Sequence, residues 1–163
     1  MNWSEEPEQR CELASSEKLL RAQPLFGEFS GDFLRLVAYL GQRRHYAAGE
    51  DVLGEGEPAD TAVILVRGGL TFRRGNREMA ALMPGAMVGA MALLGRYTWT
   101  YTLHAATASE CLLLPRRKIL PQLLAHPQAL ATLAEKLIET AVALEQQRLA
   151  KSGDSGLHGL GML

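Results

Sequence analysis

The chain has 163 residues, of which 47% are hydrophobic and 21% are charged. These values are typical of one soluble globular domain with an ordinary core, and they exclude a disordered or fibrous chain. The 17 Lys and Arg nearly balance the 18 Asp and Glu, which leaves a formal charge of -1. Binding along a run of DNA phosphates requires a basic excess, so we expect no DNA partner.

The sequence contains no apolar run of the roughly 18 residues that span a bilayer, and its first residues are acidic where a secretion signal is basic. We therefore expect a cytoplasmic protein without membrane insertion. Cys11 and Cys111 lack the spacing of a zinc or redox pair, which predicts two reduced thiols. The histidines also lack ligand spacing, so we expect no metal site. They are His45, His104, His126 and His158.

Two helices are predicted before any strand. Residues 1–23 are expected to be helical, with Ser15 or Ser16 as the cap of a short turn and a proline just beyond it. A second helix is predicted over residues 31–40, because Ser30 can cap it and apolar residues recur near helical spacing. This apolar stripe predicts that the second helix packs on the rest of the domain.

The region from residue 44 to residue 115 has a different texture. Short apolar or alternating runs are separated by glycine, proline and asparagine turns, at intervals typical of a β-sandwich or small barrel. The predicted strands are residues 51–53, 61–66, 69–72, 78–82, 98–105 and 110–114.

A long helix is predicted after the β region, because no glycine or proline interrupts the chain from residue 128 to residue 151. Apolar residues along it alternate steps of three and four, which is the pattern of a coiled-coil seam. Two interpretations remain open: the helix packs on its own barrel, or it pairs with a second chain, and different faces can do both. The seam residues are Leu130, Leu133, Leu137, Thr140 and Leu144. The glycine-rich residues 152–163 are predicted to form a mobile tail.

Several short motifs follow one another along residues 24–128. They are Pro24-Leu25-Phe26, Ala48-Gly49-Glu50-Asp51-Val52-Leu53, Glu55-Gly56-Glu57-Pro58-Ala59-Asp60, Met83-Pro84-Gly85, Val88-Gly89 and Leu112-Leu113-Leu114-Pro115-Arg116. In this order and spacing they resemble the cyclic nucleotide-binding domain family, and in particular its bacterial Crp/Fnr-like sensory barrels. The resemblance implies a mainly β fold with flanking helices, built as an antiparallel jelly-roll barrel with a long C-terminal helix.

The resemblance also implies a division of the chain and a partner. The expected parts are an N-terminal helical segment (1–23), the barrel (24–128), a dimerisation helix (129–151) and the tail (152–163). The long helix resembles the helix through which bacterial regulators of this family dimerise, so we expect a homodimer. Those regulators continue into a helix-turn-helix domain, which these 163 residues do not include.

Family members hold a cyclic nucleotide in a phosphate-binding cassette, in which a Glu accepts the ribose hydroxyl and an Arg binds the cyclic phosphate. Here Ala90 follows Val88-Gly89 where the family has the Glu, and counting back from residues 102–105 places Trp99 at the Arg position. Without the guanidinium, the site lacks a charged, two-pronged hydrogen bond to the phosphate. We therefore predict a degenerate cassette formed by Gly85, Val88, Gly89, Ala90, Met91, Trp99 and Thr100.

Other residues of the cassette allow two interpretations each. Trp99 can fill the cavity, or it can stack on a base or on a partner's side chain. Arg96 is a candidate anion contact, or it marks the solvated end of a short helix. Met87, Met91 and Leu93 are predicted core residues, with a methionine-rich patch for protein partners as the alternative.

Two basic clusters are candidate sites for an anion such as cyclic di-GMP, and the alternative is that both are solvated turns. They are Arg73, Arg74 and Arg77 at one hairpin, and Arg116, Arg117 and Lys118 after a proline.

The sequence favours a protein that is not an enzyme, because it contains no nucleophile elbow, no phosphate-binding P-loop and no Cys–His arrangement of catalytic spacing. Two functions are compatible with it. The first is a regulatory or scaffolding module that acts through protein contacts and needs no cofactor. The second is a second-messenger sensor that binds cyclic AMP or cyclic GMP in an unusual pose, or cyclic di-GMP, and repositions its C-terminal helix on binding.

Overall fold

The structure of the chain, a computed structural model, describes residues 5–156. Within these residues, two helices precede eight strands and two helices follow them. The elements are α1 (Glu5–Arg21), α2 (Gly31–Leu40), β1 (Gln42–Tyr46), β2 (Asp51–Leu53), β3 (Thr61–Arg67), β4 (Leu70–Arg74), β5 (Arg77–Leu82), β6 (Met87–Val88), a short 3₁₀ helix (Ala90–Leu93), β7 (Thr102–Ala105), β8 (Ser109–Pro115), α3 (Arg116–Ala125) and α4 (Pro127–Gly156).

The strands form two four-stranded antiparallel sheets, in the orders β1-β8-β3-β6 and β2-β7-β4-β5. Each sheet joins strands from distant parts of the sequence: β1 pairs with β8, so that Gln42 lies opposite Leu113. In the second sheet, β2 pairs with β7 and β4 lies between β7 and β5. The predicted class, a jelly-roll barrel with flanking helices and a long C-terminal helix, is confirmed.

Strand β3 explains how one barrel supports two apolar cores. Four consecutive residues of this strand, from 62 to 65, are buried, so both faces of the strand are covered. Val63 and Leu65 face the space between the two sheets, and Ile64 packs with the helices on the other side. The helices contribute Leu34, Ile119, Leu123 and Leu133 to this second core, and the segment between α1 and α2 contributes Phe26.

Helix α2 begins where the sequence predicts. The Ser30 hydroxyl accepts a hydrogen bond from the Phe33 N–H at 3.2 Å, which satisfies one of the unpaired amides of the first turn. The apolar stripe of the helix, including Phe33, Leu34 and Val37, is buried against the barrel.

Helix α1 differs from its prediction. It begins at Glu5, so Ser15 and Ser16 lie in its middle and the predicted cap is wrong. Both hydroxyls instead accept hydrogen bonds from the Arg43 guanidinium of β1, at 3.0 and 3.2 Å. The same guanidinium pairs with Glu110 at 2.6 Å. These serines therefore attach α1 to the barrel.

Two strands were missed and one is shorter than predicted. Strand β1 reads Gln-Arg-Arg-His-Tyr and lies at the edge of its sheet with mostly exposed side chains, so it lacks an apolar pattern. Strand β6 has only two residues. The predicted strand 98–105 is regular only over Thr102–Ala105, and residues 94–101 form a loop that carries Arg96, Tyr97 and Trp99.

The predicted seam of helix α4 is buried or half-buried in its first half and exposed in its second half. Leu133 is 0% exposed, with Leu130 and Leu137 packed around it, so these residues face the chain's own core. This burial removes Leu133 from a seam with a second chain. Leu144 is 47% exposed, and Thr140 is also exposed.

The helix also continues past residue 151 to Gly156, into the segment predicted as a tail. The rest of that predicted tail, residues 157–163, lies outside the described residues. None of the helices described is both long enough and apolar enough to cross a membrane.

Candidate functional site

The segment predicted as a cassette begins at Gly85, which has a φ of 90° and closes a tight turn. Its N–H donates to the Leu65 carbonyl at 2.7 Å, and its carbonyl accepts from the Gln23 side-chain amide at 3.0 Å. Gln23 follows α1 and is buried. The start of the cassette is therefore held by the barrel on one side and by the N-terminal segment on the other.

The 3₁₀ helix follows Gly89, which also has a left-handed φ, of 77°. Ala92 and Leu93 of this helix are buried, whereas Met91 is 44% exposed and Met87 is half-buried. The prediction that Met91 is a core residue is wrong, because the short helix turns this side chain outward. Met91 therefore forms part of the molecular surface.

Trp99 lies in the loop between the 3₁₀ helix and β7 and is only 3% exposed. Its backbone is fixed on both sides by the turn at residues 55–57. The Trp99 N–H donates to the Glu57 carbonyl at 2.9 Å, and its carbonyl accepts from the Gly56 N–H at 2.7 Å.

The indole of Trp99 packs directly against Gly89, and a Cβ added at Gly89 would overlap the ring. Two tyrosines flank it, with ring-centroid distances of 5.4 Å to Tyr97 and 5.7 Å to Tyr101. Tyr101 in turn packs edge-to-face on Phe72 at 4.6 Å. Burial raises the pKa of Tyr101 to about 12. The space beside the cassette is thus filled by aromatic rings.

The two polar side chains predicted to belong to the site, Thr100 and Arg96, are exposed and do not enter the barrel. Thr100 is exposed, and its carbonyl accepts from the Arg74 guanidinium at 3.1 Å. Arg96 is exposed and lines a groove outside the barrel. Val88 is buried and Ala90 is half-buried. The cassette therefore brings backbone and apolar groups towards the barrel, and its one guanidinium towards solvent.

Arg116, the first residue of α3, holds the other end of the segment. Its two terminal nitrogens donate to the carbonyls of Gly95, at 2.9 Å, and of Leu94, at 3.1 Å. Sequence reasoning missed this role and grouped Arg116 with Arg117 and Lys118 as one basic cluster. The available signal was the position of this arginine, immediately after a strand that ends in proline.

A groove of about 720 Å³ lies between this loop and α3. Arg96 and Tyr97 line it on the loop side, and Arg117, Leu120 and Leu124 line it on the helix side. The hairpin cluster of Arg73, Arg74 and Arg77 is not part of this lining. No sequence pattern indicated the groove, because the residues that line it come from four separate segments.

The histidines also have identifiable surroundings. The Nδ1 of His104 lies 2.8 Å from an Asp51 carboxylate oxygen on the neighbouring strand. Within the described residues, no three His, Cys, Asp or Glu side chains are grouped so that they could hold a metal ion.

The sequence pattern described as "Cyclic nucleotide-binding domain" matches residues 43–126, which is more than half of the chain. The chain belongs to the cyclic nucleotide-binding domain family. A solved cyclic nucleotide-binding-like protein from Brucella abortus is 30% identical and superposes with a TM-score of 0.62, covering 69% of this chain and 99% of that one. The N-terminal domain of a transcriptional regulator from Streptomyces coelicolor shares the fold, with 24% identity, a TM-score of 0.66, and coverage of 83% and 95%.

A relative with a different name contains a similar segment. Glutaminase 2 of Bradyrhizobium diazoefficiens is 31% identical to this cyclic nucleotide-binding domain over 131 residues. The match covers 80% of this chain but 20% of that protein, so the chain spans about a fifth of its relative's length.

Proposed function

We propose that this domain is a non-catalytic regulatory module that acts through protein contacts and does not bind cyclic AMP or cyclic GMP in the usual way. The observation that carries the proposal is the position of Trp99. Its ring is 3% exposed, lies against Gly89 and is flanked by two tyrosines beside the cassette.

The electrostatics of the segment support the same conclusion. A phosphate that leaves water needs charged or hydrogen-bonding partners to offset its lost hydration. Residues 85–100 contain one cationic side chain, Arg96, and no carboxylate. Arg96 lines the outer groove, so the cassette interior offers no charged partner to a phosphate or a ribose.

Exposed apolar side chains support contacts with proteins. On α4, Ile138 is 63% exposed, Val142 is 45% exposed and Leu149 is 65% exposed. A row of such side chains on a helix is a surface that a second helix can cover. We propose a homodimer through this face of α4, in the cytoplasm and without DNA. The glutaminase relative is a precedent for a segment of this kind joined to other protein segments, since the similar part is only a fifth of that chain.

The test is a calorimetric titration of the purified protein with cyclic AMP, cyclic GMP and cyclic di-GMP, with its mass measured in each sample. We expect no saturable heat at micromolar concentrations and a mass of two chains. Saturable micromolar binding of any of the three would contradict the proposal.

A double variant tests whether the cassette is vestigial. Ala90→Glu with Trp99→Arg restores both charged anchors, and we expect it to gain cyclic AMP binding that the parent lacks. The matched control is Ala90→Glu with Tyr97→Arg, which makes the same charge changes but leaves the indole in place. Equal gains in both variants would show a nonspecific charge effect. If a variant does not fold, the titration of the parent protein still tests the proposal.

The second candidate function is a nucleotide sensor, and one feature favours it. Gln23 holds the start of the cassette and Arg116 holds its end. A ligand that displaced the Trp99 loop would therefore act on α3, and through α3 on α4. The titration above separates this candidate from the first.

A further inference from the structure

The groove beside the cassette loop combines concavity with exposed apolar surface. Its volume of about 720 Å³ is comparable with that of ligand-binding clefts. Leu124 is 62% exposed and Tyr97 is 38% exposed. Leu120, on the groove side of α3, is half-buried. Exposed leucine and tyrosine side chains along a concave surface mark a place that another molecule can cover.

The charge of the groove is strongly one-sided. Among the described residues that line it, the only carboxylate is that of Asp60, whose Oδ1 already accepts a hydrogen bond from the Thr61 hydroxyl at 2.9 Å. The chain as a whole carries a formal charge of -1, so the cationic lining is a local concentration. Four arginines line the groove: Arg44, Arg96, Arg116 and Arg117.

Two of these arginines are available to a ligand. Arg116 is engaged with the carbonyls at the end of the cassette, and Arg44 lies over the Tyr46 ring at 5.3 Å. Arg96 and Arg117 are exposed, and no carboxylate within residues 7–152 forms an ion pair with either. A guanidinium presents paired N–H donors that match a carboxylate.

The surroundings favour carboxylates on a peptide over a phosphate. Phosphate sites are usually built on free backbone amides at a helix N-terminus or a glycine-rich turn. Here the first amide of α3 donates to the Asp60 carbonyl at 2.7 Å, so this amide is not free to bind a phosphate. Leucine and tyrosine walls suit apolar side chains that alternate with acidic ones.

We propose that this groove docks an acidic, leucine-bearing peptide segment of a partner protein, with its carboxylates on Arg96 and Arg117 and its apolar side chains on Tyr97, Leu120 and Leu124. The inference rests on the proposed function, because it names the chemistry of the protein partner. The groove is bounded by the cassette loop and by α3, so a docked segment contacts both. Arg116 of α3 already joins the two through its hydrogen bonds to the Leu94 and Gly95 carbonyls.

Selection from a displayed library of random 16-residue peptides on the purified wild-type protein tests this. We expect the enriched peptides to be rich in Glu or Asp and to carry leucines. Synthesised with a fluorophore and measured by anisotropy, they should bind at least about tenfold more weakly to Arg96→Glu with Arg117→Glu, because two charge-assisted contacts become repulsive. Leu124→Ala should weaken binding by a smaller factor.

The matched control is Arg73→Glu with Arg77→Glu, which makes the same charge change on the β4–β5 hairpin and should leave binding unchanged. Equal losses in both double variants, or enriched peptides without acidic residues, would overturn the proposal. Displacement of the peptides from the groove by micromolar cyclic di-GMP would instead make it a nucleotide site. Failure here leaves the titration and mass results of the proposed function untouched, so the two proposals fail separately.

Discussion

At the scale of single residues, Gly89 and Trp99 depend on each other. Gly89 has a left-handed backbone, and it leaves the space into which the indole packs. The family resemblance placed Trp99 at an anchor position by counting along the chain. It could not indicate the packing on Gly89, because this contact joins residues on opposite sides of the 3₁₀ helix.

Gly89→Ala should destabilise the fold by more than Gly85→Ala. Both glycines have positive φ, and an alanine in that region costs about 1–2 kcal/mol. Only the alanine at residue 89 also overlaps the Trp99 ring, since a Cβ at Gly85 has no atom within 4 Å. Urea unfolding of the two variants measures the difference.

A double-mutant cycle isolates the contact. In a Trp99→Leu background, the extra cost of Gly89→Ala should shrink by about 1 kcal/mol or more, because the overlapping ring is gone. Additive effects would show that the strain at Gly89 does not involve Trp99.

The buried thiol of Cys111 should make the free energy of unfolding pH-dependent in the alkaline range. Burial in the barrel raises the pKa of Cys111 to about 11, with a smaller contribution from the Glu110 charge. The folded state therefore keeps its thiol proton at pH values where the unfolded chain releases it. Stability should fall as pH rises from about 9 to about 11.

Urea midpoints measured between pH 8 and pH 11 test this dependence. Cys111→Ala should flatten the decline above pH 9, whereas Cys11→Ala, which removes an exposed thiol of α1, should not. Identical pH profiles for the two variants would exclude the buried thiol as a cause.

At the scale of elements, the sequence predicts those helices and strands that carry an apolar stripe or a short apolar run bounded by turn residues. Helix α2 is an example, with its capping serine and apolar stripe. Strand β1 is polar and lies at a sheet edge, and α1 is a polar helix held through Arg43, so neither has a pattern that burial would impose. Helix α4 has a readable period, but the period does not say which apolar face turns inward.

The two faces of α4 predict different responses to mutation. Ile138→Glu with Val142→Glu should convert a dimer to a folded monomer, since both side chains are exposed on the single chain. The melting temperature should fall only by the stabilisation that dimerisation supplies. Leu133→Ala should lower the free energy of unfolding by about 2–5 kcal/mol, because it removes a fully buried side chain. Light scattering and thermal unfolding distinguish these effects.

The control adds the same charge to another face of the helix. Ala143→Glu with Gln147→Glu lies away from the Ile138 face at about 3.6 residues per turn, and it should leave the mass unchanged. A parent that is already monomeric would contradict the dimer itself.

At the scale of the whole molecule, the fold was predictable and the groove was not. The glycine turns indicate where strands end. The jelly roll was predictable because the order and spacing of these turns resemble those of a known barrel family. The groove requires Arg44 of β1, Arg96 of the loop and Arg117 of α3 to meet. Such a meeting depends on the packing of α3 against the barrel, and no local pattern in the sequence encodes it.

The attachment of Arg116 gives the molecule the geometry of a lever. Its guanidinium fixes the first turn of α3 to the cassette, α3 and α4 meet at His126, and α4 contains 30 residues. Leu130, Leu133 and Leu137 pack the first turns of α4 on the core, which leaves residues 138–156 as the arm. At 1.5 Å per residue this arm is about 28 Å long, so a tilt of about 5° at its base would move its far end by about 2.5 Å. Displacements too small to disrupt the barrel would thus become changes of side-chain size at the end of α4.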